Sequence, residues 1–250
     1  MAAMVQVWMI LARDLAQSSF TQLLAYLSPE ERRRSATIQH GLTQRNFVVG
    51  RGCLRHLLGR YLGQGPASLR FTYGPQGKPS LASGNSRLEF NLSHSGDYVA
   101  IAIADFSLGI DLEQIRSLNA LPALCERCLT PREQIRVLTL PKPQATLQFF
   151  RYWTAKEAYV KGVGLGLSQP MGEIEVNLDQ RSLFQYPQPL GQGSGILSGW
   201  QIWQWQVELD YLAALAYPLG SETNPTVPQV RQLTVAGVLA TEMVGSLGNV

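Results

Sequence analysis

The chain has 250 residues, of which 45% are hydrophobic and 16% are charged, and its formal net charge is +3. This composition is typical of a globular protein of one large or two small domains rather than of a disordered chain. No apolar run approaches the roughly eighteen residues of a membrane-spanning helix, and the modest charge is far from that of a strongly basic nucleic-acid-binding domain. We therefore expect neither a membrane nor a nucleic acid as a partner.

The apolar stretch over residues 1–11 has no basic residue ahead of its apolar part. A signal peptide would begin with such a basic segment, so the stretch predicts a first strand instead. This interpretation favours a cytoplasmic protein.

One order of elements is then predicted twice. Apolar residues at helical spacing predict a long helix over Leu42–Leu62 and another over about Ala145–Lys161, and glycines follow both. Each helix precedes two predicted strands. These strands cover Leu88–Leu92 and Asp97–Ala104 in the first half, and Trp200–Leu209 and Asp210–Tyr217 in the second, the last displaced by 113 residues from its counterpart.

The repeat predicts an α+β protein of two similar halves in tandem, related by an internal pseudo-two-fold, with the active site at their interface. Residues 1–104 are predicted to form an N-terminal half, whose charge of +6 is suited to binding phosphates. Residues 105–220 are predicted to form a C-terminal half that binds a metal ion and carries the catalytic groups. Residues 105–250 together carry a charge of −3. Residues 221–250 are predicted to be an appendage, and Tyr186–Ser198, rich in Gly, Pro and Gln, to be a loop.

Two segments of the second half combine carboxylates with lysines. In an extended segment Asp111 and Glu113 project from one face. In a helix Glu157 and Lys161 lie one turn apart, with Lys156 about 100° round the axis. Magnesium is commonly held by one or two carboxylates together with substrate phosphates, so these groups suit a magnesium-dependent reaction on a pyrophosphate. Alternatively, Glu157 and Lys161 form an ordinary ion pair and the acidic strand end is merely exposed.

A polar cluster in the first half could bind phosphates. Lys78 lies between Gly77 and Pro79 on a predicted turn, and Ser93 and His94 offer hydrogen-bond donors at a strand end. A Ser-His nucleophile is disfavoured because neighbouring residues of a strand point to opposite faces.

The motifs Gly-Ile-Asp-x-Glu at 109–113 and Trp-Thr-x-Lys-Glu-Ala-x-x-Lys at 153–161 closely resemble those of the 4′-phosphopantetheinyl transferases, specifically the longer surfactin-type group. Gly-Lys-Pro at 77–79 and Asn-x-Ser-His-Ser at 91–95 resemble two further elements of that family. The resemblance extends from about residue 28 to residue 218. It implies transfer of the phosphopantetheine arm of coenzyme A to a serine of an apo acyl or peptidyl carrier protein, with release of adenosine 3′,5′-bisphosphate.

The resemblance also implies roles for residues. Asp111, Glu113 and Glu157 would bind Mg²⁺, Glu157 would deprotonate the serine, Lys161 would neutralise the pyrophosphate, and Lys156 could assist. The residues expected to bind coenzyme A are Arg34, Arg45, Lys78, Ser93, His94, Lys156 and Lys161. Glu31 departs from the family pattern, which often has a basic residue there, so Arg32 or Arg33 could substitute in binding the 3′-phosphate. Glu133 matches a family glutamate but equally completes a helix-capping box.

Two other functions remain open at this point. One is a coenzyme A-binding partner protein without catalytic activity, and the other is a magnesium-dependent hydrolase of the coenzyme A pyrophosphate. The intact acidic residues argue against the first. A monomer is expected, because two complementary halves lie in one chain, whereas the carrier protein and its pathway cannot be predicted.

Overall fold

The computed structural model describes residues 5–82, 87–164, 170–176, 178, 199–218 and 228–241. The helices are α1 (Gln17–Tyr26), α2 (Pro29–Thr37), α3 (Gly41–Leu62), α4 (Leu121–Cys128), α5 (Pro131–Leu138), α6 (Lys142–Val163) and α7 (Val235–Ala240). The strands are β1 (Gln6–Leu11), β2 (Phe71–Tyr73), β3 (Pro79–Leu81), β4 (Glu89–Ser95), β5 (Tyr98–Ala104), β6 (Gly109–Gln114), β7 (Trp200–Glu208), β8 (Tyr211–Pro218) and β9 (Gln229–Thr234). The predicted loop over 186–198 lies outside the described residues. Within the described ranges, no helix combines the length and apolar composition needed to cross a membrane.

The two predicted long helices are confirmed as α3 and α6, each of 22 residues. The residue after each helix is a glycine in the left-handed conformation, Gly63 with φ 62° and Gly164 with φ 79°. Glycine is favoured there because a β-carbon would strain this backbone conformation. The predicted helix ends therefore have a direct conformational cause.

The sheets confirm the duplication. Three antiparallel strands lie in the order β4-β5-β1 in the first half and β7-β8-β6 in the second. Each half therefore has the order strand, three helices, strand, strand. The first half additionally contains the β2–β3 hairpin, and β9 extends its sheet by pairing parallel with β1. The chain has the predicted α+β fold of two similar halves in tandem.

Side chains that alternate along the strands form three layers of core. Val7 and Met9 of β1 point toward the other half, where they join a core that includes Trp203 and Leu215. The intervening Trp8 points to the opposite face, into the core beneath α3. A third core lies under α6. The two sheets therefore pack against each other, with one long helix on each outer face.

A capping box and a buried ion pair occur at matching places in the halves. At the start of α2, the side chain of Ser28 accepts from the backbone of Glu31, and Thr130 and Glu133 do the same at the start of α5. The capping glutamate of each box also contacts a cation of the long helix. Glu31 accepts from Arg55 at 2.7 Å, and Glu133 accepts from Lys156 at 2.5 Å. These pairs fix each short helix on its long neighbour.

We expect Lys156→Met to destabilise the fold, because it leaves the buried Glu133 carboxylate without its cation. Removing one partner of a buried ion pair typically costs about 3–5 kcal/mol, which corresponds to a fall in Tm of roughly 6–20 °C for a protein of this size. Thermal denaturation measures the shift. Lys142→Met, at the exposed first residue of the same helix, is the matched control and should change Tm little. A wild-type Tm in Lys156→Met would contradict this assignment.

Candidate active site

The site begins where β6 touches α6. A β-carbon on Gly109 would lie 2.0 Å from the carbonyl oxygen of Ala158 and 2.3 Å from the nitrogen of Gly162. Only glycine allows this separation, because real contacts of a β-carbon are longer than 3.0 Å. The close approach places the acidic residues that follow Gly109 beside the last turns of α6.

The buried Asp111 carboxylate joins both halves of the protein. Its Oδ1 atom accepts from Lys161 Nζ at 2.6 Å and from Ser93 Oγ at 2.9 Å. Lys161 also donates to Ser93 Oγ at 3.0 Å. The ion-pair partner of Lys161 among the described residues is therefore Asp111, and not Glu157 as the simple helical alternative held.

Glu113 occupies the next position on the same face of β6. Its two carboxylate oxygens accept from Trp153 Nε1 and Ser95 Oγ, each at 3.1 Å. Burial raises its pKa, and the charge of Asp111 raises it further. The hydrogen bonds from Trp153 and Ser95 oppose this shift, since they stabilise the ionised form.

Glu157 lies on α6 between Trp153 and Lys161. Burial, first of all, and then the charge of Asp111 raise its pKa to about 7. Lys161 opposes the shift but does not cancel it. A carboxylate with a pKa near neutrality is half protonated at pH 7 and is therefore suited to accept a proton.

The predicted metal ligands can be tested against their contacts. No group of three His, Cys, Asp or Glu side chains is arranged as a metal site in the part of the chain that the structure describes. However, Asp111 Oδ2 is buried and has no hydrogen-bond partner among the described residues, and the half-buried carboxylate of Glu157 lies close enough to interact with its charge. Two carboxylates are enough protein ligands for a magnesium ion that also binds substrate phosphates. The donor set of these residues thus fits the ion.

A cavity of about 280 Å³ opens beside these groups. Both halves line it: its walls include Arg34, Phe47, Lys78 and His94 of the first half, and Val160 and Lys161 of the second. Lys161 thus contacts the acidic cluster and also lines the cavity. A ligand in the cavity that contacts Lys161 would therefore lie beside the Asp111 carboxylate.

Comparison with known proteins decides the family. The model of the 4′-phosphopantetheinyl transferase superfamily matches residues 107–216, and that of the 4′-phosphopantetheinyl transferase N-terminal region matches residues 14–105. The chain is 40% identical over 178 residues to the 4′-phosphopantetheinyl transferase HetI of Nostoc sp. (strain PCC 7120), which covers 70% of this chain and 74% of that protein.

The chain belongs to the 4′-phosphopantetheinyl transferase superfamily. It is also 27% identical over 168 residues to the 4′-phosphopantetheinyl transferase Sfp of Bacillus subtilis, covering 67% of this chain and 74% of that protein. A phosphopantetheinyl transferase of Thraustochytrium sp. is 27% identical over 195 residues, covering 72% of this chain and 68% of that protein. The family, the transferase class and the use of coenzyme A predicted from the motifs are confirmed.

In this transferase the predicted turn around Lys78 is formed by the β2–β3 hairpin. Gly77 has a positive φ of 78°, and Pro79 begins β3. The ammonium of Lys78 donates to the carbonyl of Gly162 at 3.0 Å. His94 is exposed to the cavity, and partial burial together with the charge of Lys161 lowers its pKa. Ser93 points to the opposite, buried face, so the two residues do not form a nucleophile pair.

Arg45, predicted to bind coenzyme A, lies beside the turn that precedes β5. It donates to Asp97 Oδ1 at 2.7 Å and to the backbone carbonyl of Arg13 at 3.3 Å. It does not line the cavity, although the neighbouring Asn46 and Phe47 do. This placement favours a role in fixing the turn before β5 over direct contact with a ligand.

Lys156 also lies away from the cavity. It is fully buried, and its ammonium donates to Glu133 and to the carbonyls of Cys128 and Met171 at 2.9 and 3.0 Å. All three of its N–H groups are thus used. The structure places Lys156 and Glu133 in the frame of the fold, which argues against the predicted contact of Lys156 with coenzyme A.

The sequence reasoning missed how β4 holds the site together. Asn91 Oδ1 accepts from the backbone N–H of Ile110, and Ser95 Oγ accepts from that of Gln114, each at 3.0 Å. With Ser93 between them, these residues form a polar row on one face of β4. The signal was present, because Asn, Ser and Ser alternate at period two in the strand.

Glu157 should make the metal-free protein less stable as the pH rises. Its folded-state pKa of about 7 lies above the unfolded value of roughly 4.3. The folded state therefore binds the proton more tightly, and this stability is lost between about pH 4 and pH 7. We expect Glu157→Gln, melted in EDTA, to exceed the wild-type Tm by roughly 2–6 °C at pH 8 and by little at pH 4.5.

The exposed Glu126 provides the control, since Glu126→Gln should show no such dependence on pH. An equal effect of Glu157→Gln at both pH values would show that its pKa is not raised.

Proposed function

We propose that the protein transfers the 4′-phosphopantetheine group of coenzyme A to a serine hydroxyl of an apo acyl or peptidyl carrier protein, and releases adenosine 3′,5′-bisphosphate. The observation that carries the proposal is the contact of Asp111 with Lys161 at one wall of a cavity shared by the two halves. Family membership supports the reaction class, and the geometry supports these residues as its centre.

The reaction requires one proton transfer and one substitution at phosphorus. The serine oxygen forms a bond to the phosphorus that bears pantetheine, and the bond from that phosphorus to the bridging oxygen breaks. Glu157 accepts the serine proton. The electron pair of the broken bond remains on the adenosine bisphosphate, where Lys161 offsets the developing charge.

Asp111, Glu113 and Glu157 would hold Mg²⁺. When bound, the ion supplies positive charge to the pyrophosphate oxygens. The free Oδ2 of Asp111 supports this assignment. Lys161 then has a second role, because without substrate its positive charge offsets part of the negative charge of Asp111, Glu113 and Glu157.

Lys78 and His94 are proposed to bind coenzyme A along the cavity, with Ser93 positioning Asp111 and Lys161. Burial lowers the pKa of Lys78, so a phosphate near it would restore the stability of its charged form. A cytoplasmic location and a monomeric state remain predictions.

The function is tested by the intact mass of an apo carrier protein incubated with the enzyme, coenzyme A and Mg²⁺. We expect the carrier to gain one phosphopantetheine, and expect EDTA to prevent the gain. Asp111→Asn is the matched variant with a neutral side chain of the same shape, and it should abolish transfer while remaining folded. Release of adenosine 3′,5′-bisphosphate without a carrier would indicate a hydrolase instead.

Lys161→Met separates a catalytic cation from a structural one. Lys161 pairs with the buried Asp111 at 2.6 Å, so its loss should also lower Tm, and melting curves of the variant measure this structural effect apart from the rate. Loss of a positive charge that faces the transition state should lower kcat at least about a hundredfold, with the affinity for coenzyme A changed only a few fold. Single-turnover rates and equilibrium binding measure the two effects. A fall in rate of only a few fold would assign Lys161 a structural role.

A further inference from the structure

The hydroxyl group of Ser95, at the end of β4, connects the two halves of the protein. Its Oγ atom accepts from the backbone N–H of Gln114 at 3.0 Å and donates to Glu113 Oε2 at 3.1 Å. A serine hydroxyl has one proton and an ionised carboxylate can only accept, so the direction of this O–H is determined. The first half thus supplies a hydrogen-bond donor to a carboxylate of the second half.

The turn that follows Ser95 packs directly on the second half. Gly96 has a positive φ of 53°, and a β-carbon on it would lie 2.1 Å from Tyr211 Oη and 2.8 Å from Gln114 Oε1. The hydroxyl of Tyr211 also accepts from the backbone N–H of Asp97 at 3.0 Å. Because backbone packing holds this turn beside β6, the Ser95 side chain can be changed without moving the turn.

The carboxylate of Glu113 is held from two directions. Its Oε1 atom accepts from Trp153 Nε1 on α6 at 3.1 Å, and the Trp153 ring stacks on Phe149 with the ring centroids 6.3 Å apart. Arg116 Nη1 lies 3.7 Å from Oε2, but the Arg116 side chain is 62% exposed, and an exposed ion pair contributes little. The orientation of the carboxylate therefore depends on Trp153 at one oxygen and on Ser95 at the other.

A magnesium ligand benefits from being held in this way. Mg²⁺ requires nearly ideal octahedral geometry, so a carboxylate that rotates freely must be ordered when the ion binds. Hydrogen bonds from groups that do not touch the metal orient its ligands, and the loss of one such partner typically lowers metal affinity about 10- to 100-fold. Ser95 has the required contact with Glu113 and does not line the cavity.

We propose that Ser95 is a positioning residue of the active site, whose hydroxyl orients Glu113 across the interface so that the first half completes the magnesium site of the second. This inference rests on the proposed function, which assigns Glu113 to the ion. It gives the first half a role beyond the binding of coenzyme A. Ser95 acts through Glu113 and is not itself expected to contact the ion or the reacting atoms.

The first test follows the indole N–H of Trp153 in the metal-free protein. Its resonance in a proton–nitrogen correlation spectrum is identified by its absence in Trp153→Phe. Ser95→Ala removes the hydrogen bond to Oε2, so the carboxylate can rotate, and we expect the Trp153 resonance to shift by more than its line width. Ser80→Ala is the matched control, because Ser80 is an exposed serine of β3. It should leave the resonance in place.

The second test measures the Kd for Mg²⁺ by calorimetry, with coenzyme A present and without a carrier protein. We expect Ser95→Ala to raise this Kd at least about tenfold. Ser95→Thr retains the hydroxyl and should stay within about threefold of the wild type, as should Ser80→Ala. The KM for coenzyme A at saturating Mg²⁺ should change by less than about threefold in Ser95→Ala, because this residue does not line the cavity.

A double variant separates positioning from a structural role. Ser95→Ala also removes the acceptor of the Gln114 N–H, and a general loosening of β6 would weaken Mg²⁺ binding with or without the Glu113 carboxylate. If Ser95 acts through Glu113, Ser95→Ala should have little further effect on the Kd in a Glu113→Ala background. An equal loss in that background, or an unchanged Trp153 resonance in Ser95→Ala, would overturn the inference and leave Ser95 as a residue that only joins β4 to β6.

A failure of the proposed function would give a different result, namely no binding of Mg²⁺ and no transfer by the wild-type protein. The Trp153 resonance, recorded without metal, would then still decide whether Ser95 orients Glu113. Melting curves of each variant establish that the folded protein was measured.

Discussion

The active site depends on one contact between backbones. Gly109 at the start of β6 lies so close to α6 that a β-carbon on it would overlap the carbonyl oxygen of Ala158 and the nitrogen of Gly162, and a β-carbon on Gly162 would overlap the ring of Trp200. This packing fixes the height of β6 against α6, and therefore which residues of the strand meet which residues of the helix. Asp111 reaches Lys161, and Glu113 reaches Trp153. Chemistry that needs a carboxylate and an ammonium at one point is thus determined by two residues that have no side chain.

The duplicated fold supplies two frameworks but only one set of catalytic groups. Strand β6 of the second half corresponds to β1 of the first, because Gln114 pairs with Tyr211 as Leu11 pairs with Tyr98. Counting three residues back along each strand, Asp111 occupies the position that Trp8 has in the first half. Counting back from the glycine that ends each long helix, Glu157 corresponds to His56. The counterpart edge of the first half, at β1, is occupied by β9. An apolar core and a C-terminal strand therefore replace what would be a second site.

Neighbouring charged residues on α6 have opposite purposes because the helix turns them to different surroundings. Lys156 points into the second half, where its ammonium donates to Glu133 and to two carbonyls. Glu157 points toward β6, where its carboxylate lies near Asp111 and its pKa is raised. Lys156 therefore stabilises the fold, whereas the adjacent Glu157 is proposed to take part in the reaction. Because successive residues of a helix are rotated by about 100°, these two adjacent side chains face different surroundings and can have different roles.

The sequence alone determined the local features of this protein, because those depend on neighbours along the chain. Helical spacing and terminal glycines predicted α3 and α6, alternation predicted the strands, and the paired motifs identified the family. Tertiary structure alone decided which charges are paired, since the partners lie far apart in sequence. In the folded protein Glu31 pairs with Arg55 and Arg45 pairs with Asp97. The buried Nη1 atom of Arg51 has no hydrogen-bond partner among the described residues. A residue type and its spacing specify what a side chain can do, but its partners across the fold decide whether it is free to do so.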